Sequence, residues 1–268
     1  MPELPEAEYM VRRLEQYAPH AAIRRVCILR DSLTEPQGVR HVRRYARGMV
    51  TRYARRAKNV LLHLDTGWTV RIQLGMTGHC FWIADPAAAP PHTRVLFLLA
   101  RGGALAFEDA RTFGSVQVHR QDELPELFRA YGPEPLDPAF RWTGLRDAAA
   151  GLRQPLKSFL MDQRRIAGLG NIWAAESLFA ARLAPQRGVH TLADAEWRAL
   201  HAAIRRTLRR AIENAFRVTS RPDEFPEADL LRLQVYGRAA QPCRRCRQPV
   251  RRQVEAGRAT YFCAGCQR

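Results

Sequence analysis

The feature that most constrains this chain is at its end. Cys243 and Cys246 form one C-x2-C pair, sixteen residues follow, and Cys263 and Cys266 form a second. Four thiolates in two paired knuckles complete a tetrahedral site with no open position, which suits one structural Zn2+ and argues against catalysis by the metal. A module of about 28 residues has too small a core to fold alone, so metal binding must supply its folding free energy. Between the pairs, VRRQV (250–254) and RATYF (258–262) read as a β-hairpin with Arg258 near its tip, in reach of a phosphate. Cys27 and Cys80 lie in apolar surroundings and read as small buried residues.

The remaining chain changes pattern twice. Residues 5–18 have the spacing of an amphipathic helix, with Met10, Val11, Leu14 and Tyr17 on one face and Pro5 in the first turn. From 22 to 119 the pattern is strand-like, as in TVRIQL (69–74), RVLFLLA (94–100) and GALAFED (103–109), with Gly102-Gly103 as a hairpin turn. That density of short strands predicts a β-sandwich or barrel. YGPEPLDP (131–138) marks a boundary, after which 143–150, 155–162, 171–182 and 193–216 read as helices. The expected class is α+β and multidomain: a β-sandwich domain over 1–131, a helical domain over 132–239 and a zinc hairpin over 240–268.

Charge narrows the partner. Lys and Arg total 43 against 26 acids, a net charge of +17. Such a surface attracts polyanions, and with no basic amphipathic tail nucleic acid is favoured over a membrane. The start has no apolar signal-peptide core, so a cytoplasmic protein is expected. Only two of the basic residues are lysines, Lys58 and Lys157. Where arginine is used almost everywhere, a surviving lysine marks a place that needs a compact ammonium.

The opening Met1-Pro2-Glu3-Leu4-Pro5-Glu6 has a chemistry of its own. A small second residue permits removal of Met1, leaving Pro2 as a secondary amine. An α-amino group titrates at about 7.7–8, so it is partly unprotonated at neutral pH and can attack a sugar C1′ to form an iminium. Glu3 is placed to move protons, and Glu6 falls in the first helical turn, where a carboxylate is favoured. Read alone, the same residues are compatible with an ordinary helix lead-in.

Taken with QLGMTGH, EDARTFGS, PLKSFLMDQ, DQRRIAGLGNIWAAESLF and the four-Cys tail, MPELPEAE resembles the formamidopyrimidine-DNA glycosylase and endonuclease VIII family over essentially the whole chain. The likeness is closer to the formamidopyrimidine branch. It implies a bifunctional glycosylase and abasic-site lyase acting on damaged double-stranded DNA as a monomer. The implied fold is a β-sandwich, a helix–two-turn–helix domain and a zinc finger. By resemblance, Pro2 is the nucleophile, Glu3 the acid and Glu6 a helix-start carboxylate. By the same resemblance Lys58 contacts phosphate beside the lesion and Lys157 lies near the DNA; Arg258, from its place near the hairpin tip, is counted with the active set. Gly170 and Asn171, with Gly168, open a phosphate-binding helix. Met76, Arg111 and Phe113 fill the gap left by an extruded base. Glu176 reads either as part of this signature or as a helix-surface acid.

Ala110 and Thr112 depart from the family's more common DPRRFG, and one longer stretch departs as well. The glycine-rich segment near GGTTLRDF, which covers a flipped base, is replaced here by FRVTSRPDEFPEADLLRLQVYGR (216–238). Thr219 and Ser220 remain as base-contacting hydroxyls. Three readings therefore follow: excision of formamidopyrimidines and 8-oxoguanine, an endonuclease VIII-like taste for oxidised pyrimidines, or a non-catalytic damage-binding protein.

Overall fold

The computed structural model describes residues 2–226, 231–255 and 257–268. It divides into two compact units. The first holds residues up to Arg129 and also Ala215–Pro226; the second holds Ala130–Asn214 and the C-terminal stretch from 231.

In the first unit, α1 (Leu4–Tyr17) is followed by β1 (Ala22–Ile28), α2 (Val39–Tyr45), β2 (Gly48–Arg56), β3 (Asn59–Leu64), β4 (Trp68–Gln73) and β5 (His79–Ile83). Then come β6 (Thr93–Leu99), β7 (Ala104–Glu108), β8 (Ser115–Arg120) and the short α3 (Leu124–Leu127). The strands run β5-β7-β6-β1-β2-β3-β4-β8. Every pairing is antiparallel. β1 meets β2 at only two positions, Ala22↔Met49 and Ile23↔Gly48, so the order breaks there into the two layers of a sandwich. Period-2 patterning decides which residues face inward. In β8, Val116 and Val118 are buried while Ser115 and Gln117 are not. β3 is buried along its whole length, because α1 covers its second face. α1 lays Leu4, Ala7, Met10, Val11 and Leu14 against β2, β3 and β5. The larger of these side chains, Leu4, Met10, Val11 and Leu14, each contribute about 1.5–3 kcal/mol on burial.

The strand-like reading of 22–119 missed α2. Its signal is weak: the helix has seven residues, and only Val42 is wholly buried. Gly38, at φ +80°, starts it, and Arg43 and Arg44 in the last turn suit the negative end of its dipole. The β6–β7 hairpin turns at Gly102-Gly103 as expected, both at positive φ.

The second unit contains α4 (Trp142–Asp147), α5 (Leu156–Met161), α6 (Asn171–Ala181), most of α7 (Asp194–Val218), and the hairpin of β9 (Arg251–Glu255) and β10 (Arg258–Phe262). The Cys-rich tail does not carry a core of its own. Cys243, Val250 and Cys263 pack with Ala175 and Phe179 of α6 and with Val235. α7 crosses the division between units, so its last residues group with the first. Among the described residues, no helix is long and apolar enough to cross a membrane.

Candidate functional site

Glu3 caps α1, and Pro5 occupies its first turn, where a missing N–H costs nothing. Glu6 Oε2 accepts the Glu3 N–H at 2.8 Å, the returning half of a capping box. The Pro2–Glu3 peptide is thereby fixed by a carboxylate one turn along. Pro2 and Glu3 are buried and Glu6 is 5% exposed. Met1 lies outside the described residues.

His79 stands at the start of β5, a strand that packs against α1. Burial pushes its imidazole down to about 4, against the opposing pull of Asp109. The ring is therefore neutral at physiological pH. It stacks on Phe225 with centroids 3.8 Å apart and planes 16° apart.

Phe225 belongs to the segment that departs from the family pattern. The described part of that segment is fastened to α1. Tyr9 Oη donates to Thr219 Oγ1 at 2.8 Å, and an Arg13 NH2 donates to the Thr219 carbonyl at 2.8 Å. The Arg13 guanidinium also lies over the rings of Tyr9, Tyr17 and Phe216. Tyr17 Oη donates to the Ser220 carbonyl at 3.2 Å. These contacts correct the reading of Thr219 as a base-contacting hydroxyl. Its side chain is 7% exposed and is committed to Tyr9, Arg13 and the Ala215 carbonyl. No local pattern could have shown the bonds to Tyr9 and Arg13, because those partners are more than 200 positions away in sequence. Residues 227–230 of the same segment lie outside the described residues.

Met76, Arg111 and Phe113 stand on two neighbouring loops, before β5 and before β8. Met76 is 37% exposed and Phe113 57%, so neither is a core residue. The Arg111 guanidinium lies 4.7 Å from the Phe113 ring centroid. Lys58 is half-buried in the two-residue turn between β2 and β3, beside Ala57 at φ +52°.

In the second unit, Gly168 takes φ +85°, a region that favours glycine, and Gly170 is the N-cap of α6. Asn171 opens the helix, and its Nδ2 donates to the Ala259 carbonyl at 3.1 Å, next to Arg258. Lys157 converges on the same strand. Its Nζ donates to the Ala259 carbonyl at 3.0 Å and to Thr260 Oγ1 at 2.6 Å, and the residue is 2% exposed. Lys157 thus grips the hairpin, whereas Arg258 is exposed at the first position of β10. Glu176 is not a helix-surface acid. It is 5% exposed and its carboxylate accepts the N–H groups of Gln234, Val235 and Tyr236. Burial pushes its carboxyl up, partly offset by those three donors.

The Sγ atoms of Cys243, Cys246, Cys263 and Cys266 all lie within 4.8 Å of one another. The Cys243–Cys266 and Cys246–Cys263 separations are 3.9 and 3.4 Å. Tetrahedral zinc with Zn–S near 2.3 Å requires S···S distances of about 3.8 Å, so the cluster fits one structural Zn2+. Pro2, Glu3, Glu6, Lys58, Met76, Arg111 and Phe113 are thus gathered in the first unit; Lys157, Gly170, Asn171, Arg258 and the four cysteines are in the second.

Comparison with known proteins is consistent along the chain. The profile of the formamidopyrimidine-DNA glycosylase N-terminal domain matches residues 1–116, that of the same proteins' H2TH domain residues 131–221, and a zinc finger found in FPG and IleRS residues 240–268. The formamidopyrimidine-DNA glycosylase of Thermus thermophilus is 40% identical over all of this chain and 98% of its own length. Wild-type Fpg (MutM) of Lactococcus lactis, solved with N7-benzyl-Fapy-dG DNA, superposes with a TM-score of 0.90 at 27% identity, over 99% of each chain. The same enzyme solved with DNA containing an oxidised pyrimidine gives the same score, identity and coverage.

Proposed function

The chain belongs to the formamidopyrimidine-DNA glycosylase family, and we propose from this that it is a bifunctional DNA glycosylase and abasic-site lyase of base excision repair. Its substrate is damaged double-stranded DNA. One observation carries the catalytic reading: Pro2 leads directly into a helix whose cap, Glu3, is buried and held by Glu6.

With Met1 removed, the Pro2 nitrogen attacks C1′ of the damaged nucleotide and the C1′–N bond to the base breaks. Glu3 takes the proton that the Pro2 nitrogen gives up on bonding to C1′ and passes it to the departing base. Opening of the sugar gives an iminium between Pro2 and C1′, which makes the C2′ proton acidic. Loss of that proton expels the 3′ phosphate (β-elimination), and a second elimination releases the 5′ phosphate. Lys58, Arg258 and the start of α6 at Gly170 and Asn171 hold phosphates. Lys157 acts through the hairpin that bears Arg258. Met76, Arg111 and Phe113 take the place of the flipped base, with Arg111 available to the orphaned partner. Zinc, held by the four cysteines, supplies folding energy to the hairpin. We place the enzyme in the bacterial cytoplasm, at the nucleoid, as a monomer.

Borohydride trapping tests the reading. Met1-processed protein should give a covalent adduct with an abasic duplex and with a formamidopyrimidine duplex, and Pro2→Gly should lose both. No adduct with either substrate would leave a non-catalytic binder. The internal commitment of Thr219 favours a second reading of the base pocket, closer to the endonuclease VIII preference for oxidised pyrimidines. A lesion panel separates them, because excision of oxidised pyrimidines well ahead of formamidopyrimidines would select the second.

A further inference from the structure

Asp109 follows β7 and is wholly buried, yet none of the chemistry above uses it. It is held at four points. Its N–H donates to the His92 carbonyl at 3.0 Å, and its carbonyl accepts Arg94 Nε at 3.0 Å. Its Oδ2 accepts the Gly114 N–H at 2.7 Å, and its Oδ1 accepts the Thr77 hydroxyl at 2.5 Å. The Thr77 oxygen in turn accepts the Arg111 N–H at 3.1 Å. One carboxylate and one hydroxyl therefore tie the loop of Met76 to the loop of Arg111 and Phe113.

The backbones leave no slack. A Cβ on Gly75, at φ +59°, would lie 2.6 Å from the Phe113 carbonyl carbon and the Gly114 nitrogen. One on Gly114 would lie 2.7 Å from the Gln73 carbonyl oxygen. Thr112, a β-branched residue at φ +55°, is strained between the two functional side chains. Gly114 also packs on the buried Phe107 ring, but Met76 and Phe113 are exposed at 37% and 57%, so the rigidity of their loops does not serve to bury them.

We infer that Asp109 and Thr77 are positioning residues that clasp the two loops, so that Met76, Arg111 and Phe113 enter the duplex as one preformed wedge. The inference rests on the glycosylase reading. Ordering two loops costs conformational entropy, and the clasp moves that cost from DNA insertion to folding. Removing the clasp should slow base extrusion and leave amine chemistry, at a sugar already exposed, much less affected.

The test compares two substrates in each protein. Single-turnover excision of a formamidopyrimidine from a duplex requires the wedge; borohydride trapping on a single-stranded abasic oligonucleotide reads the Pro2 amine alone. Thr77→Val, isosteric without the hydroxyl, should lower the ratio of the first rate to the second by about tenfold or more. Thr77→Ser should restore it, and Asp109→Asn, which turns one acceptor into a donor, should lower it further. A 2-aminopurine beside the lesion should lose its insertion-dependent fluorescence change in step. An unchanged ratio in Thr77→Val, including a parallel fall in both rates, overturns the clasp, as does failure of Thr77→Ser to restore it. A wild type that forms no adduct with either substrate overturns the glycosylase reading and this inference with it. A wild type that traps normally beside an unaltered Thr77→Val ratio overturns the inference alone.

Discussion

Lys157→Met tests why lysine persists in a chain that uses arginine almost everywhere. The ammonium donates to the Ala259 carbonyl and to Thr260 Oγ1 from a site that is 2% exposed. Hydrogen bonds to a charged group are worth about 1.5–3 kcal/mol each, but a buried methionine also avoids desolvating a cation, so the net loss should be about 2 kcal/mol. That corresponds to a fall in Tm of roughly 4–8 °C for a protein of this size. The damage should be local, with faster amide exchange along β9 and β10 at unchanged zinc content. Arg258 is next to Ala259 and loses its support, so affinity for undamaged duplex should fall about tenfold, or about 1.4 kcal/mol. Lys157→Arg keeps the charge but forces a larger planar group into the same space, and overpacking should cost about 1–3 kcal/mol. If Lys157→Arg melts within about 1 °C of the wild type, far inside that range, compactness is not the reason for the lysine. If Lys157→Met leaves exchange, melting and affinity unchanged, the ammonium does not hold the hairpin at all.

Two further outcomes follow from the same structure. His79 has a folded-state pKa near 4 against 6.5 unfolded, so the unfolded chain binds the extra proton between these values. The stability due to its neutral ring is complete above about pH 6.5 and is lost as pH falls towards 4, on the order of 3 kcal/mol in all. His79→Phe keeps an aromatic face against Phe225 and should flatten that part of the pH dependence in urea unfolding; an identical slope in the variant would refute the assignment. Zinc removal by a chelator should unprotect the β9–β10 amides and loosen α6, since Cys243, Val250 and Cys263 share a core with Ala175 and Phe179. The first unit should keep its own protection. Persistent protection of β9 and β10 after verified zinc loss would count against metal-dependent folding.

The parts legible in the sequence were those with short-range signatures. The two C-x2-C pairs identify the metal site because their spacing is itself the coordination geometry. Alternation identifies the strands, and the two lysines stand out against arginine. What escaped was long-range or marginal. α2 has one fully buried side chain in seven residues, too little for a period to register. The Arg13–Thr219 and Tyr9–Thr219 bonds join positions that only the fold brings together. Asp109 reads in sequence as an acid ending a strand, and its partner Thr77 is 32 positions away. Glu176 looked ambiguous because helical spacing says nothing about a segment returning from 234–236 to cover it.

The loops of Met76 and Phe113 are where stability and function diverge most clearly. Exposed apolar surface forgoes about 25 cal/mol per Å2, and a β-branched residue in the left-handed region adds a further cost of order 1–3 kcal/mol. A chain under pressure for stability alone would replace Phe113 with a polar residue and Thr112 with glycine. Here the surrounding structure instead reinforces the costly arrangement, with close backbone approach at Gly75 and Gly114 and a buried carboxylate between the loops. Loose loops would let both side chains fold back onto the protein surface and recover part of the lost burial. The clasp prevents that collapse, and the same rigidity that keeps Met76 and Phe113 in water without DNA makes them available to a gap in a base stack.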